Sequence, residues 1–218
     1  MDVGLHVMDS PVTKLIYVGD PMCSWCWGFA PEIESLAEEF PVEVVVGGLR
    51  PGPSAQELGD RMADRLRSHW VEIAERTGQP FDTEFLDRRD GWVYDTEPAA
   101  IAVALLRETH QTSTLDYFTD VQHAFYAEGR DVTDFEVLTD LVTRHGVDPH
   151  DFHTDLQTQE AKKRAWADFS QSRNWGINGF PALIAEIDDD RLALLARGWT
   201  QADHIRARID SLGAEATG

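Results

Sequence analysis

Cys23 and Cys26 are the whole thiol supply of a 218-residue chain, and they stand in "DPMCSWCWGF" with two residues between them. The thiolate is the attacking form of cysteine. Two thiols one helical turn apart suit disulfide exchange, the first capturing a substrate sulfur as a mixed disulfide and the second displacing it. Zinc draws on the same residues, but a tetrahedral structural site wants four ligands, and the chain has neither a second CxxC nor a His pair at finger spacing. His150 and His153 open an acidic helical stretch, where exposure to solvent accounts for them without a metal. With so few cysteines there is no multi-bridge framework. The pair reads as a redox centre that needs no metal and no tightly bound cofactor.

Position decides whether that chemistry is available. The run "KLIYVGD", residues 14–20, is short, apolar and β-favouring, which predicts a buried strand. From Phe29 the apolar residues Ile33, Leu36, Ala37 and Phe40 recur at helical spacing, with Pro31 near the first turn and Pro41 as a stop. The thiols thus fall at a helix N-terminus, where unpaired N–H groups and the positive end of the dipole favour a thiolate. Cys23, nearer the helix end, is expected to attack; Cys26, inside the first turn, is expected to be the more buried resolving thiol. "VEVVVGG", residues 42–48, reads as a strand covered on both faces, and a β-α-β unit makes the two strands parallel neighbours.

The middle of the chain is helical. Periodicity and caps predict helices over about Ser54 to Arg76, over 96–109 with Thr96 as cap, and over 116–129. Another follows the capping box Thr133-Asp134-Phe135-Glu136, a short one opens at Asp148, and a longer one spans about Gln157 to Trp175. Strand character then returns over 181–187 and 191–198, joined by an Asp-rich turn at 188–190 that predicts an antiparallel hairpin. A last helix runs from about Gln201 to Leu212 behind Thr200. The order is β-α-β, a helical block, then α-β-β-α, giving one discontinuous α/β domain (1–52 and 157–218) with a helical domain (53–156) inserted after its second strand.

Further residues gather near the motif in this order of elements. In "NWGINGFPALI", residues 174–184, Gly179 permits close backbone approach, and Pro181 opens a strand, one of the few places a sheet tolerates proline. A cis bond at Phe180–Pro181 would turn the main chain of Phe180 outward and offer an unpaired edge to an extended peptide. Asp20 ends the first strand, either to pass a proton or to hold the turn before Pro21. Arg50, in "GGLRPG", follows a strand at the edge where open α/β sheets bind ligands, which suits a substrate carboxylate or glutathione; a structural turn explains its neighbours equally well. Ser24 and Trp25 lie between the thiols. Trp25 or Trp27 paves a peptide surface, and Trp27, on the helix, is equally a core residue.

Nineteen basic against thirty-nine acidic residues give a formal charge of −20, a surface that repels nucleic acid and anionic lipid. The basic run Lys162, Lys163, Arg164 is read as a solvated helix face. "MDVGLHVMDSPVTK" lacks the features of a secretory signal, and no apolar run reaches membrane-spanning length, so a cytoplasmic protein is expected.

The order of elements, the CxxC after the first strand and the Gly-Phe-Pro before the third together resemble the thioredoxin-fold DsbA family of thiol-disulfide oxidoreductases. "CSWCWGF" is closest to its cytoplasmic FrnE-like members, named as protein-disulfide isomerases; the resemblance runs from about Lys14 to Leu212. It implies a thioredoxin-like fold, attack by Cys23, resolution by Cys26, and a cis Pro181 beside the disulfide, acting on protein thiols or disulfides with glutathione as a co-substrate. The chain departs from DsbA in having Ser24 and Trp25 where DsbA has Pro-His, and Phe180 is bulkier than the residue usual before the cis proline. A glutathione-dependent isomerase or transferase of the kappa-class and 2-hydroxychromene-2-carboxylate isomerase type is the alternative. Those enzymes carry a serine where this chain has Cys23, and they need no resolving thiol.

Overall fold

In the computed structural model, which describes residues 12–87, 91–187 and 191–216, strand β1 (Val12–Gly19) leads through the cysteine turn into helix α1 (Ser24–Ala37). Strand β2 (Val42–Val46) follows and pairs in parallel with β1, Tyr17 opposite Val44. β1 is almost entirely buried because it lies inside the sheet, which is why its sequence shows a run rather than an alternation.

Helix α1 begins at Ser24, well before the expected start near Phe29, so Pro31 sits in its interior and not in its first turn. A proline there leaves the carbonyl four residues back without its helical donor. That carbonyl, of Trp27, accepts instead from the Gln79 side-chain amide at 3.0 Å.

The expected helix from Ser54 is also shortened. Residues Gln56–Glu57 form a short strand, β3, and Leu58 N–H donates to the Trp92 carbonyl at 2.9 Å, so helix α2 (Asp60–Thr77) starts only after Gly59. Its far end matches the expectation: Gly78, at φ +78°, accepts the left-handed conformation that closes a helix. Strand β4 (Val93–Tyr94) pairs with β3 as a separate ribbon, and helices α3 (Glu97–Thr109), α4 (Thr114–Tyr126), α5 (Phe135–Val142) and α6 (Pro149–Leu156) complete the block.

Helix α7 (Gln159–Asn174) returns the chain to the sheet, followed by β5 (Ala182–Ile187), β6 (Arg191–Arg197) and α8 (Ala202–Ala216). β5 runs antiparallel to β1 and to β6, giving the order β2-β1-β5-β6. The turn at 188–190 lies outside the described residues. This is the thioredoxin-like α/β arrangement.

Three threonines read as helix caps do not cap with their hydroxyls, although Thr96 does stand at the N-cap position of α3. Thr96 turns its hydroxyl to Arg50, Thr133 bonds Asp131 while Asp134 caps α5, and the Ala202 N–H at the start of α8 is taken by Glu32 at 2.7 Å rather than by Thr200. Asp and Glu oxygens compete better for N–H groups than a hydroxyl does because they are charged acceptors.

One apolar cluster spans the inner face of the sheet together with α1, α3, α4, α7 and α8. A smaller cluster of Ile16, Val18, Val45, Ile177, Ala182 and Ile184 lies on the other face. α3 and α7 are tied to β2 by a buried pair: Arg107 meets Asp168 through two bonds of 2.7 and 2.8 Å, and Asp168 also accepts from Val46 N–H at 3.0 Å. The guanidinium also donates to the Val44 carbonyl, so both charges have main-chain partners as well as each other, the condition under which such a pair is tolerated. Of the basic run, Lys162 is not simply solvated: it reaches the nearly buried Glu97 at 2.9 Å. Among the described residues no helix is long and apolar enough to cross a membrane.

Candidate redox site

Cys23 is the N-cap of α1, with φ −94° and ψ 116°, and its carbonyl accepts from Cys26 N–H at 2.9 Å and Trp27 N–H at 3.1 Å. No acidic residue occupies the first turn, and the N–H groups of Ser24 and Trp25 have no partner among the described residues. Unpaired donors at this end are what stabilises an anion beside a helix start. The two thiols differ in cover as their places in the helix demand: Cys23 is 7% exposed and Cys26 0%. Both are free thiols. Burial pushes the Cys26 thiol well above the usual range, and the hydrogen bond and charge of Cys23 push it the same way; the Asp20 main chain and the Tyr17 hydroxyl act in the opposite sense.

The Cys23 thiol faces the Phe180 carbonyl at 3.6 Å, and the Phe180–Pro181 peptide bond is cis. This brings together two motifs that lie 157 positions apart. The N–H groups of Asn178, Gly179 and Phe180 have no partner among the described residues, so this segment is a free main-chain edge. A groove of about 280 Å³ runs along it, lined by Ile177, Phe180, Arg197 and Gly198. The Phe180 ring lies on Gly47, where any Cβ would overlap the ring; next to it Gly48, at φ +73°, faces the Phe169 ring. The two glycines after β2 are there because an aromatic ring occupies the space of each side chain.

Asp20 and Ser24, which the sequence places beside the thiols, are enclosed and not open to a substrate, at 0% and 8% exposure. Asp20 accepts from Met22 N–H at 2.9 Å and from Leu49 N–H at 2.6 Å, so it holds the cysteine turn against the loop after β2. Burial raises its carboxyl to about 6, against the opposing pull of those N–H groups, Thr96 and Arg50. Arg50 is half-buried and stacks 5.0 Å over Tyr94. Trp27 is core, stacked on Tyr126, whereas Trp25 stays partly open beside His69.

Sequence reasoning missed Tyr94 and read Thr96 only as a helix cap. Tyr94 donates its hydroxyl to the Met22 carbonyl, and Thr96 accepts from Arg50 N–H at 3.1 Å while its own N–H returns to the Arg50 carbonyl. No local pattern marks either contact, since the partners are distant in the chain. Among the described residues no group of three or more His, Cys, Asp and Glu side chains is gathered as a metal would need; His153 turns to Thr139 and Glu136.

A family model described as thioredoxin matches residues 16–196. Among solved structures, a protein from Nitrosomonas europaea assigned as a disulfide isomerase is 33% identical, with a TM-score of 0.83 over 93% of this chain and 98% of that one. The cytosolic disulfide reductase DsbM from Pseudomonas aeruginosa is 26% identical, with a TM-score of 0.75 over 91% of this chain and 98% of its own; the same reductase is also known with GSH. A curated relative, the ClpXP adapter protein SpxH of Bacillus subtilis, is 21% identical over 75% of this chain and 55% of its own length. The chain spans about half the length of the curated relatives it matches.

Proposed function

The chain belongs to the thioredoxin family, within its DsbA-type oxidoreductases, and from that premise we propose that it is a protein-disulfide oxidoreductase or isomerase working through the Cys23/Cys26 couple. One observation carries the reading: a thiol at a helix N-cap lies 3.6 Å from the Phe180 carbonyl, at the head of an unpaired main-chain edge, with the second thiol buried in the same helical turn.

In the reducing direction, the Cys23 thiolate attacks one sulfur of a substrate disulfide. A Cys23–substrate disulfide forms, and the other substrate sulfur leaves as a thiolate. Cys26 then loses its proton and attacks Cys23 Sγ, so the Cys23–Cys26 disulfide forms and the second substrate thiolate leaves. Two electrons pass from the dithiol to the substrate, and two glutathione thiols restore the dithiol as they become glutathione disulfide. We assign the Cys26 proton to Asp20, a buried carboxylate in the same turn that is ionised above about pH 6 and whose main chain acts to lower the Cys26 thiol pKa. The free edge at 178–180 would pair with an extended peptide and hold its sulfur before Cys23.

A cytoplasmic setting, where thiols are kept reduced, favours reduction and isomerisation over oxidation. The glutathione-dependent isomerase alternative is disfavoured by the second thiol, for which it has no use. Insulin reduction with glutathione as reductant tests the proposal: Cys23→Ser should abolish turnover, and Cys26→Ser should accumulate a substrate adduct on Cys23 visible by mass spectrometry. Turnover unchanged in Cys23→Ser refutes it.

A further inference from the structure

Every cation–π contact among the described residues involves one of two arginines, and both stand beside the thiol turn. Arg50 stacks on Tyr94, whose hydroxyl is bonded to the residue before Cys23. Arg76 lies between two indoles, 4.7 Å from the ring centre of Trp199 and 5.6 Å from that of Trp25. Trp25 separates the two cysteines. Trp199 follows Gly198, whose N–H donates to the Pro181 carbonyl at 2.7 Å, and its own indole N–H donates to the Gly28 carbonyl of α1 at 3.1 Å. The Arg76 stack therefore bridges the cysteine helix and the proline strand.

Helix geometry explains how Arg76 arrives there. His69, Ile73, Arg76 and Thr77 recur at spacings that share one face of α2. That face approaches α1 at Gly28, where a Cβ would stand 3.0 Å from the methyl groups of Ile73 and Thr77. His69 then meets Trp25 edge-on, with ring centres 5.8 Å apart. The sheet sets the other side: β1, β2 and β6 all run toward the same edge, with β1 between the others in the order β2-β1-β5-β6. Arg50 follows β2 and Trp199 follows β6, so the two arginines flank the thiol turn.

Arg76 forms no ion pair among the described residues and Arg50 reaches only the charge of the buried Asp20, in a chain where acids outnumber bases by 39 to 19. Other exposed arginines, such as Arg61 and Arg65, are not stacked on a ring among the described residues. Stacking fixes the plane of a guanidinium and leaves its N–H edge open, which is the arrangement that receives a carboxylate through a fork of two hydrogen bonds.

Building on the exchange chemistry above, we propose that Arg76, with Arg50 on the opposite flank, selects disulfides that carry free carboxylates: small anionic peptide disulfides in preference to neutral or cationic ones. The reaction that reports it is complete without a further reductant. Reduced protein and one disulfide give the Cys23–Cys26 disulfide and two substrate thiols, so electrons and protons balance between the two reactants.

The test is the second-order rate of oxidation of the reduced full chain, followed by tryptophan fluorescence or quenched mass spectrometry. The three probes are glutathione disulfide, bis(2-hydroxyethyl) disulfide and cystamine, which are anionic, neutral and cationic. In Arg76→Gln the ratio of the glutathione disulfide rate to the neutral rate should fall about tenfold, the scale of one charge-assisted contact. Arg76→Lys should recover part of the ratio, since it restores the charge without the fork. A ratio unmoved in Arg76→Gln, with all three probes reacting at Cys23, overturns the selectivity and leaves the exchange chemistry standing. Equal slowing with all three probes overturns it too, reducing Arg76 to a packing residue. Failure of Cys23 to react with any probe sinks the exchange chemistry itself.

Discussion

The two ends of the four-stranded sheet use the same strands for opposite ends of chemistry. Where β1 and β2 finish, a fully buried carboxylate, two thiols, a free main-chain edge and two stacked arginines crowd around one turn. Where they begin, Lys14 lies between Glu43 and Glu186 at 2.7 and 3.3 Å, so charges that the first end leaves open are paired. The beginning end also holds a cavity of about 400 Å³, lined in part by Phe40, Pro41, Val42 and Leu115, against about 280 Å³ for the groove beside Phe180. Size alone would choose the wrong end. Groups left unpaired or buried at a cost mark the reactive one.

Substituting the attacking sulfur gives the largest expected contrast. Cys23→Ser should lower disulfide exchange at least about a thousandfold, as loss of a nucleophile does, while Phe40→Ala at the far end should leave the rate within about twofold. Loss of exchange in Phe40→Ala, with the far-UV spectrum intact, would break the comparison by making the larger cavity part of the site.

Asp20 measures what the reactive end costs the fold. Its carboxyl is raised from 3.8 to about 6, so between those pH values the folded protein retains a proton that the unfolded chain has released. Stability therefore falls as pH rises through that window, and the penalty is fully present at pH 7, roughly 3 kcal/mol from the size of the shift. Asn at this position cannot ionise, but it has one carbonyl oxygen where Asp20 accepts two N–H groups, a loss of about 1 kcal/mol. Asp20→Asn should thus stabilise the protein by about 2 kcal/mol at pH 7 and lose that advantage near pH 4. Denaturant melts at the two pH values decide it, and a variant no more stable at pH 7 would remove the buried charge as a feature of this end.

Gly47 tests how closely the Phe180 edge must be held. A methyl group there would displace the Phe180 ring, and with it the carbonyl that faces Cys23. Gly47→Ala should lower the exchange rate about tenfold, the order of loss expected from a small misplacement at a reacting centre, and insulin reduction measures it. An unchanged rate would mean that the ring's position is irrelevant to the thiol.

Much of this end was legible in the sequence because the reactive groups lie on short local patterns. A buried apolar run, a CxxC and a helical period sufficed for the existence of β1, the thiol turn and α1, and the β5–β6 pairing followed from two short runs with an Asp-rich stretch between them. What stayed hidden was set by contacts between distant segments. Thr96 looked like a cap because its local context is that of a cap, yet the loop after β2 claims its hydroxyl. Pro31 looked like a helix start because proline favours one, and only the Gln79 amide, 48 positions further on by number, lets it sit deeper. Arg76 carried no local signal at all, since its indole partners come from α1 and from the turn after β6.

The smallest effect belongs to the end that does no chemistry. Lys14 and its two carboxylates are each close to 30% exposed, so the attraction is screened and the pairs contribute little. The hydrogen bond and charge of Glu43, helped by Glu186, raise the ammonium above its usual 10.5. The stabilisation is therefore fully present up to about pH 10 and is lost only as pH climbs through the raised value. Lys14→Gln should cost no more than about 1 kcal/mol at low salt and nearly nothing at 1 M, where screening leaves little to lose. Paired denaturant melts at the two salt concentrations supply the check, with insulin reduction expected to match the parent protein. A loss well above that size, or one that high salt does not reduce, would mean that the ion-paired end is a structural anchor and not the passive counterpart of the thiol turn.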